Sequence, residues 1–303
     1  MSRAAGAGAP RFGVFLPQLR MGFEEIAEKA RLAEALGYDS VWFMDHLMTP
    51  AAPELPCLEG WSVACAVAAR TSRIRIGHLV LCNGFRPPAL LAKMAASLDA
   101  ISGGRLELGI GWGSLPEELE RCGYGAESAA DKAARLEETL AILDLLFEGK
   151  PVSHRGRFCE LRDVVCQPTP VQRPLPIHVG GSGERLTLPL AARRGGWWNC
   201  PSYGADRLAE LAPLAAPARI SVQHPVGLVR DAAQRAEVER LAQRRFGNWG
   251  GLRVGTAEEL ARAFTQEVEL GAELFVLQFH DFGARASLEA FARDVAPRVV
   301  ARG

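Results

Sequence analysis

The chain has 303 residues, of which 48% are hydrophobic and 23% charged, with 35 basic and 35 acidic side chains. This composition is typical of a globular protein and excludes the intrinsically disordered, collagen-like and disulfide-rich classes. Because the net charge is zero, we expect neither nucleic acid nor a membrane as a partner.

Residues 1–10 are rich in Ala and Gly and lack the apolar core of a signal peptide, so we expect a flexible N-terminal tail. The seven cysteines include no C-x-x-C pair, which argues against a disulfide framework or a structural zinc site and favours a reduced, cytoplasmic location. No apolar run approaches the ~20 residues of a membrane-spanning helix.

Beyond the tail, short β-rich segments alternate with longer helical segments, and several of the strands are continuously apolar, as in parallel sheets covered on both faces. The predicted strands are residues 12–17, 40–44, 74–82, 106–110, 176–179, 196–199, 220–229 and 274–279. The predicted helices are residues 23–36, 88–101, 132–147, 185–194, 206–214, 232–246, 257–270 and 287–300. This α/β pattern predicts a (β/α)8 barrel, with residues 11–303 as a single domain. A doubly wound sheet is the alternative, but the first strand-to-helix turn, residues 15–18, has no glycine-rich phosphate fingerprint.

One segment interrupts the alternation between the fourth helix and the fifth strand. Residues 149–176 show no helical period and contain several prolines near their end. We therefore expect an insertion made of a β-hairpin followed by an extended arm.

In a (β/α)8 barrel the functional side chains lie on the loops that follow the carboxyl ends of the strands. The second strand ends in Asp45-His46. An imidazole titrates near neutral pH and can exchange a proton with a substrate or cofactor atom, so His46 is the best acid–base candidate. Asp45 is expected to orient His46 or to cap a backbone group rather than to react.

A glycine-rich stretch, Gly180-Gly181-Ser182-Gly183, follows the fifth strand and is predicted to open a helix at Glu184. Glycines let a ligand approach the backbone, and N–H groups at a helix N-terminus suit a phosphate. A plain tight turn is the alternative. Phosphate sites often lie in the late loops of such barrels, which favours phosphate binding.

Other strand ends supply further candidate cofactor contacts, namely Asn83, Gly111 and Asn199. Residues 109–113 lack the third glycine of a dinucleotide-binding fingerprint, so we interpret them as a glycine-lined strand end that lets a flat ring approach. Cys82 is expected to be a small buried hydrophobic residue rather than a nucleophile. The six histidines are scattered along the chain, so no metal site is predicted.

Taken in order, these segments resemble the luciferase-like flavin and deazaflavin oxidoreductases over residues 11–300. The resemblance is carried by residues 40–46 (SVWFMDH), 68–77 (AARTSRIRIG), 86–95 (RPPALLAKMA), 98–109 (LDAISGGRLELG), 174–183 (PLPIHVGGSG) and 197–199 (WWN). It implies a TIM barrel with an insertion after the fourth helix, usually assembled as a homodimer.

Within that family, the Asp45-His46 ending resembles the branch that uses coenzyme F420, in which the histidine lies beside C5 of the deazaflavin ring. The luciferase branch tends to carry a Glu-His-His type of ending instead. The resemblance therefore implies F420, with FMN as the alternative, and hydride transfer to or from a small organic substrate with His46 as proton donor or acceptor. It also implies a non-proline cis peptide at Leu79-Val80 behind the ring, and a cofactor phosphate at residues 180–183.

The chain departs from the family's sugar-phosphate dehydrogenase at one acidic position. That enzyme carries a glutamate after the fourth strand, where this chain has Ser114. The departure argues against oxidation of glucose 6-phosphate and leaves a reductase for an unsaturated or imine-like substrate as an equal alternative. Further alternatives are an FMNH2-dependent monooxygenase fed by a separate reductase, and a non-catalytic relative that has lost the cofactor.

Overall fold

The computed structural model describes residues 9–113 and 115–300, so most of the predicted tail (residues 1–8) and Ser114 lie outside the described residues. The strands are β1 (Arg11–Phe15), β2 (Ser40–Phe43), β3 (Arg75–His78), β4 (Leu81–Cys82), β5 (Leu106–Gly111), β6 (Val152–Arg155), β7 (Glu160–Val164), β8 (Ile177–Gly180), β9 (Trp197–Cys200), β10 (Arg219–Leu228), β11 (Arg253–Gly255) and β12 (Ala272–Phe279). The helices are α1 (Phe23–Ala35), α2 (Gly60–Ala68), α3 (Pro88–Ser102), α4 (Pro116–Arg121), α5 (Ala129–Phe147), α6 (Thr187–Arg194), α7 (Ser202–Ala205), α8 (Leu208–Ala215), α9 (Arg235–Phe246), α10 (Ala257–Glu269) and α11 (Arg285–Ala290).

Parallel strands close into a barrel in the order β1, β2, β3, β5, β8, β9, β10 and β12, and β12 pairs with β1 to complete the ring. The predicted (β/α)8 barrel is confirmed. Two short strands add to it: β4 pairs with β5 above β3, and β11 pairs with the end of β10.

The outer helices pack on the barrel through apolar faces at helical spacing, and α10 illustrates the local rules. Its residues Leu260, Phe264 and Val268 are buried. Its N-terminus is fixed by a capping box, in which the Thr256 hydroxyl accepts from the Glu259 N–H and the Glu259 carboxylate accepts from the Thr256 N–H. Helix type and position therefore follow from sequence pattern in this part of the chain.

Several helices differ from the prediction: α2, α4 and α7 are not among the predicted helices, and the last helix ends early. The sequence pattern does not reveal α2, because GWSVACAVA is apolar on nearly every side and shows no amphipathic period; the Glu59 carboxylate caps its first turn. The final helix, predicted over residues 287–300, ends at Ala290 and continues as a π-helical turn and then a 3-10 turn containing Pro297, which has no N–H to donate.

The predicted insertion is confirmed as a hairpin with an arm. β6 and β7 pair in antiparallel fashion, with Val152 opposite Val164. Residues 165–176 then run to β8 without regular secondary structure.

A polar and aromatic layer fills the amino-terminal end of the barrel interior. Glu107 of β5 accepts a hydrogen bond from His178 of β8 (2.8 Å between Oε2 and Nε2), and the Trp42 ring lies 5.1 Å from the His178 ring, centroid to centroid. Arg75 and Arg11 pair with Glu107 from the barrel's lower edge. We call this layer the barrel floor. Because it fills the amino-terminal end, the open space of the barrel lies at its carboxyl end.

Within the two described ranges, no helix has the length and apolar character needed to cross a membrane. The same ranges contain no group of three or more His, Cys, Asp or Glu side chains placed to bind a metal ion.

Candidate active site

A cavity of about 670 Å³ opens at the carboxyl ends of the barrel strands. Its volume falls within the ~300–1,000 Å³ of typical small-molecule sites. Six residues predicted from strand ends or from the resemblance, besides Asp45 and His46, line it: Leu79, Val80, Gly111, Gly180, Gly181 and Asn199. The barrel therefore brings together in one place residues that are far apart in the sequence.

The third strand is interrupted inside this cavity. It is predicted as continuous over residues 74–82, but β3 ends at His78 and β4 begins at Leu81. The peptide bond between Leu79 and Val80 is cis, which confirms the expectation drawn from the family resemblance.

Glycines of the neighbouring strands make room for the Val80 side chain. A Cβ atom on Gly180 would lie 2.6 Å from Val80 Cγ1, and one on Gly111 would lie 2.8 Å from Val80 Cγ2. Real Cβ atoms essentially never approach so closely, so only glycine fits at these two positions without movement of Val80. The glycines in strands β5 and β8 thus serve the packing of the interrupted strand as well as access for a ligand.

His46 lies at the edge of the cavity, where a residue that sequence reasoning missed holds its ring. Glu118 of α4 places Oε2 2.8 Å from His46 Nδ1, and its Oε1 accepts hydrogen bonds from the N–H groups of Leu47 (2.7 Å) and Met48 (3.0 Å). Both side chains border the cavity, and that of Glu118 is only 7% exposed. Nδ1 is occupied by the carboxylate, so Nε2 is the nitrogen left for proton exchange.

The expected role of Asp45 as the orienting partner of His46 is wrong. Its carboxylate accepts two hydrogen bonds from Arg86 (2.8 and 2.9 Å) and one from the backbone N–H of Cys82 (2.7 Å). Burial alone would lower the pKa of the Arg86 guanidinium, but the hydrogen bonds and charges of Asp45 and Glu59 outweigh burial and raise it. Asp45 therefore caps a backbone group, the other role expected of it, and ties the end of β2 to β4.

The glycine loop after β8 reaches its helix later than predicted. Helix α6 begins at Thr187 rather than at Glu184, and residues 184–186 form a turn. Within the described residues, the N–H groups of residues 182–185 donate to no protein acceptor, whereas that of Gly181 donates to the Asn199 carbonyl. Glu184 is neutralised by Arg207 (2.8 Å). These N–H groups are the donors that an anion at this loop would need.

Asn83 and Cys82 are two further strand-end residues considered from the sequence. Asn83 is buried but does not border the large cavity; it borders two smaller ones, and neither polar atom of its side chain has a hydrogen-bond partner among the described residues. Cys82 does border the large cavity, and burial raises the pKa of its thiol to about 11. Cys82 therefore stays protonated near neutral pH, as expected of a small buried residue rather than a nucleophile.

The family model described as luciferase-like monooxygenase matches residues 10–219 of the chain. The chain belongs to this family. Within it, the F420-dependent glucose-6-phosphate dehydrogenase of Beutenbergia cavernae is 29% identical over 350 residues, covering 94% of this chain and 98% of that protein.

Two solved structures share the fold of this family member. One is an F420-dependent secondary alcohol dehydrogenase in complex with an F420–acetone adduct, with a TM-score of 0.81, 20% identity and coverage of 97% of this chain and 100% of that one. The other is the oxygenating constituent of 3,6-diketocamphane monooxygenase from Pseudomonas putida with FMN, with a TM-score of 0.77, 20% identity and the same two coverages. At these identities the likeness establishes the fold, which deazaflavin and flavin enzymes have in common.

Proposed function

We propose that the protein is an F420-dependent oxidoreductase that transfers a hydride between C5 of coenzyme F420 and a small organic substrate at the carboxyl end of the barrel. The observation that carries this proposal is the imidazole of His46, fixed by Glu118 beside a cavity that also contains the Leu79-Val80 interruption. Bound F420 would supply a two-electron hydride acceptor or donor.

The proposed task of His46 is to move the proton that accompanies the hydride. When the substrate is oxidised, Nε2 accepts the proton of the substrate hydroxyl; when it is reduced, Nε2 returns that proton to the oxygen. Glu118 acts as a positioning residue, because its carboxylate accepts from Nδ1–H and keeps the lone pair on Nε2.

The residues present fit the cofactor in two respects. Val80, packed over glycines, provides an apolar surface on which the flat ring would lie. The N–H groups of residues 182–185 would hold the phosphate. The strand-two ending Asp45-His46 and the F420-dependent relative together favour F420 over FMN.

The decisive measurement is an equilibrium titration of the purified protein with F420 and, separately, with FMN. The oxidation of reduced F420 is then measured with small ketones, conjugated enones and imines as substrates. We expect binding of F420 and turnover of at least one compound. Binding of FMN alone would favour the two-component monooxygenase, and binding of neither would favour the non-catalytic relative.

His46→Ala tests the chemical role separately from binding. We expect turnover to fall by about 100-fold or more, with the F420 dissociation constant within about threefold of wild type. His154→Ala, in the β6–β7 hairpin, is the matched control and should keep near wild-type turnover. Full turnover by His46→Ala would remove the proposed proton transfer.

We also propose a homodimer, as the family resemblance implies. Helix α3 exposes two large apolar side chains, Leu90 and Ile101 (50% and 66% exposed), which a second copy would bury. Light scattering should give twice the chain mass, and a monomer mass at micromolar concentration would contradict the proposal.

A further inference from the structure

We infer, on the basis of the proposed function, that the substrate is an uncharged and largely apolar alcohol or carbonyl compound, and that the cavity selects against phosphate- and carboxylate-bearing substrates. The inference comes from the charges and polar groups that face the cavity.

No lysine or arginine is among the described residues that line the large cavity. The charged or titratable side chains that line it are the carboxylates of Asp45 and Glu118, the imidazole of His46, the buried thiol of Cys82 and the phenol of Tyr203, and burial raises the pKa of the last two. Arg86, 10% exposed, neutralises Asp45, whereas Glu118 faces a histidine and backbone N–H groups. The field inside the cavity is therefore neutral to negative.

Two cationic side chains near the site belong to a different space. Lys132 and Arg135 line a smaller cavity of about 110 Å³, and Trp112 and Leu119 border both cavities and so stand between them. Arg135 is paired there with Glu127. A substrate beside His46 therefore meets a tryptophan and a leucine where a cation would be needed.

The rest of the wall is apolar or carries uncharged polar groups, namely amides and the hydroxyl group of Ser202. The apolar members include Leu19, Pro50, Leu115, Pro201 and Trp249. The amide members are Asn199, Gln223 and Asn248. Such a surface can hydrogen-bond one hydroxyl or carbonyl group while burying a hydrocarbon skeleton.

An anionic substrate would lose hydration here without gaining a countercharge, and it would lie near the Glu118 carboxylate. The cofactor's own phosphate avoids this cost, because the N–H groups of residues 182–185 lie at the glycine loop rather than beside His46.

For a secondary alcohol the reaction balances without another reagent. The C–H electron pair leaves as hydride to oxidised F420, the hydroxyl proton passes to Nε2 of His46 and from there to water, and the C=O bond forms. The reverse direction consumes reduced F420 and returns the proton to the carbonyl oxygen.

The test uses 4-hydroxycyclohexanecarboxylate and its methyl ester, which share one skeleton and differ in charge. Binding of each compound to the protein is measured by saturation-transfer NMR with and without F420, and kcat/KM is measured with F420. We expect the ester to bind at least about tenfold more tightly and to be turned over correspondingly better. Glucose 6-phosphate should give no turnover above background.

A cation placed in the wall should reverse the preference. Asn248→Lys is expected to reduce the ester-to-acid ratio by about tenfold, whereas the neutral control Asn248→Gln should leave the ratio within about twofold. Equal binding of acid and ester, binding of neither, or efficient turnover of glucose 6-phosphate would overturn the inference. Failure of F420 to bind would instead overturn the proposed cofactor, while the NMR comparison would still decide the substrate class.

Discussion

Glu118 makes three contacts that together hold one imidazole and the two backbone N–H groups that follow it. Its two oxygens have separate tasks, because Oε2 faces the ring and Oε1 faces the backbone. A carboxylate suits both tasks, since both of its oxygens accept hydrogen bonds, whereas an amide offers one acceptor and one donor group.

Glu118→Gln should therefore change the state of His46 while leaving the fold intact. The amide oxygen would remain with the backbone N–H groups, and the NH2 would face Nδ1 and force the proton onto Nε2. We expect kcat to fall by about 10- to 100-fold for substrate oxidation, with an altered pH profile.

The neighbouring Glu117, whose side chain is 83% exposed on the same helix, provides the control. Glu117→Gln should keep wild-type kcat and pH profile. If Glu118→Gln lowered the melting temperature but kept the wild-type pH profile, Glu118 would be a structural residue only.

For individual residues, the sequence identified His46 but predicted the wrong side chain as its hydrogen-bond partner. Asp45 is adjacent in the chain, yet its carboxylate is held by Arg86 and by the Cys82 N–H instead of by His46. Glu118 lies 72 residues away, and the comparison with the family's second acid drew attention to Ser114 instead. Glu118 follows in the next short helix, α4, whose six residues give no clear periodic signal.

Among elements, the interrupted third strand depends on glycines in its neighbours. β4 is only two residues long, and Val80 before it packs against Gly111 and Gly180 of β5 and β8. An added methyl group would have to displace a side chain at the centre of the cavity wall.

Gly180→Ala should accordingly destabilise the protein by about 1–3 kcal/mol and weaken binding of the cofactor. Gly22→Ala is the control, because nothing lies within 4 Å of its Cβ position. The control should change the unfolding free energy by less than about 1 kcal/mol. Urea unfolding measures the free energy of unfolding of both variants. Equal losses in Gly180→Ala and Gly22→Ala would contradict the proposed fit between Val80 and Gly180.

Strand positions were predictable from apolar runs, and the amphipathic helices from their period. The break after His78 was not readable from the residues, because Leu79-Val80-Leu81 looks like ordinary strand sequence. Only the family resemblance gave it. The later start of α6 was also hidden, since glycine, serine and glutamate all occur in both turns and first helical turns.

Over the whole molecule, the barrel floor around Glu107 makes the free energy of unfolding depend on pH. Burial alone would raise the pKa of the Glu107 carboxyl, but the hydrogen bond from His178 and the charges of Arg75 and Arg11 outweigh burial and lower it from 4.5 to about 2. Because the folded-state pKa lies below the unfolded one, ionised Glu107 stabilises the fold above about pH 4.5. This contribution is lost as the pH falls from about 4.5 to about 2.

Glu107→Gln should remove this contribution of Glu107 to the pH dependence of the unfolding free energy. At neutral pH we expect it to lower the unfolding free energy by about 3–5 kcal/mol, because Arg75 and Arg11 lose their buried partner. Between about pH 5 and about pH 3, the difference from wild type should narrow by about 2 kcal/mol. Denaturant titrations at each pH measure the free energy of unfolding, with Glu117→Gln as the exposed control. A difference between wild type and Glu107→Gln that stayed constant from about pH 5 to about pH 3 would contradict the prediction.

Arg86 clamps both ends of the stretch between β2 and α2, since it binds Asp45 at one end and Glu59 at the other (3.0 Å). Inside that stretch the chain closes on itself, with the Thr49 hydroxyl donating to the Leu55 carbonyl (2.9 Å). Pro50 of this segment nevertheless borders the cavity. Residues 49–55 are therefore the part of this segment that could be lengthened or rewritten to suit a new substrate, because Asp45, His46 and Glu59 are held by contacts outside it.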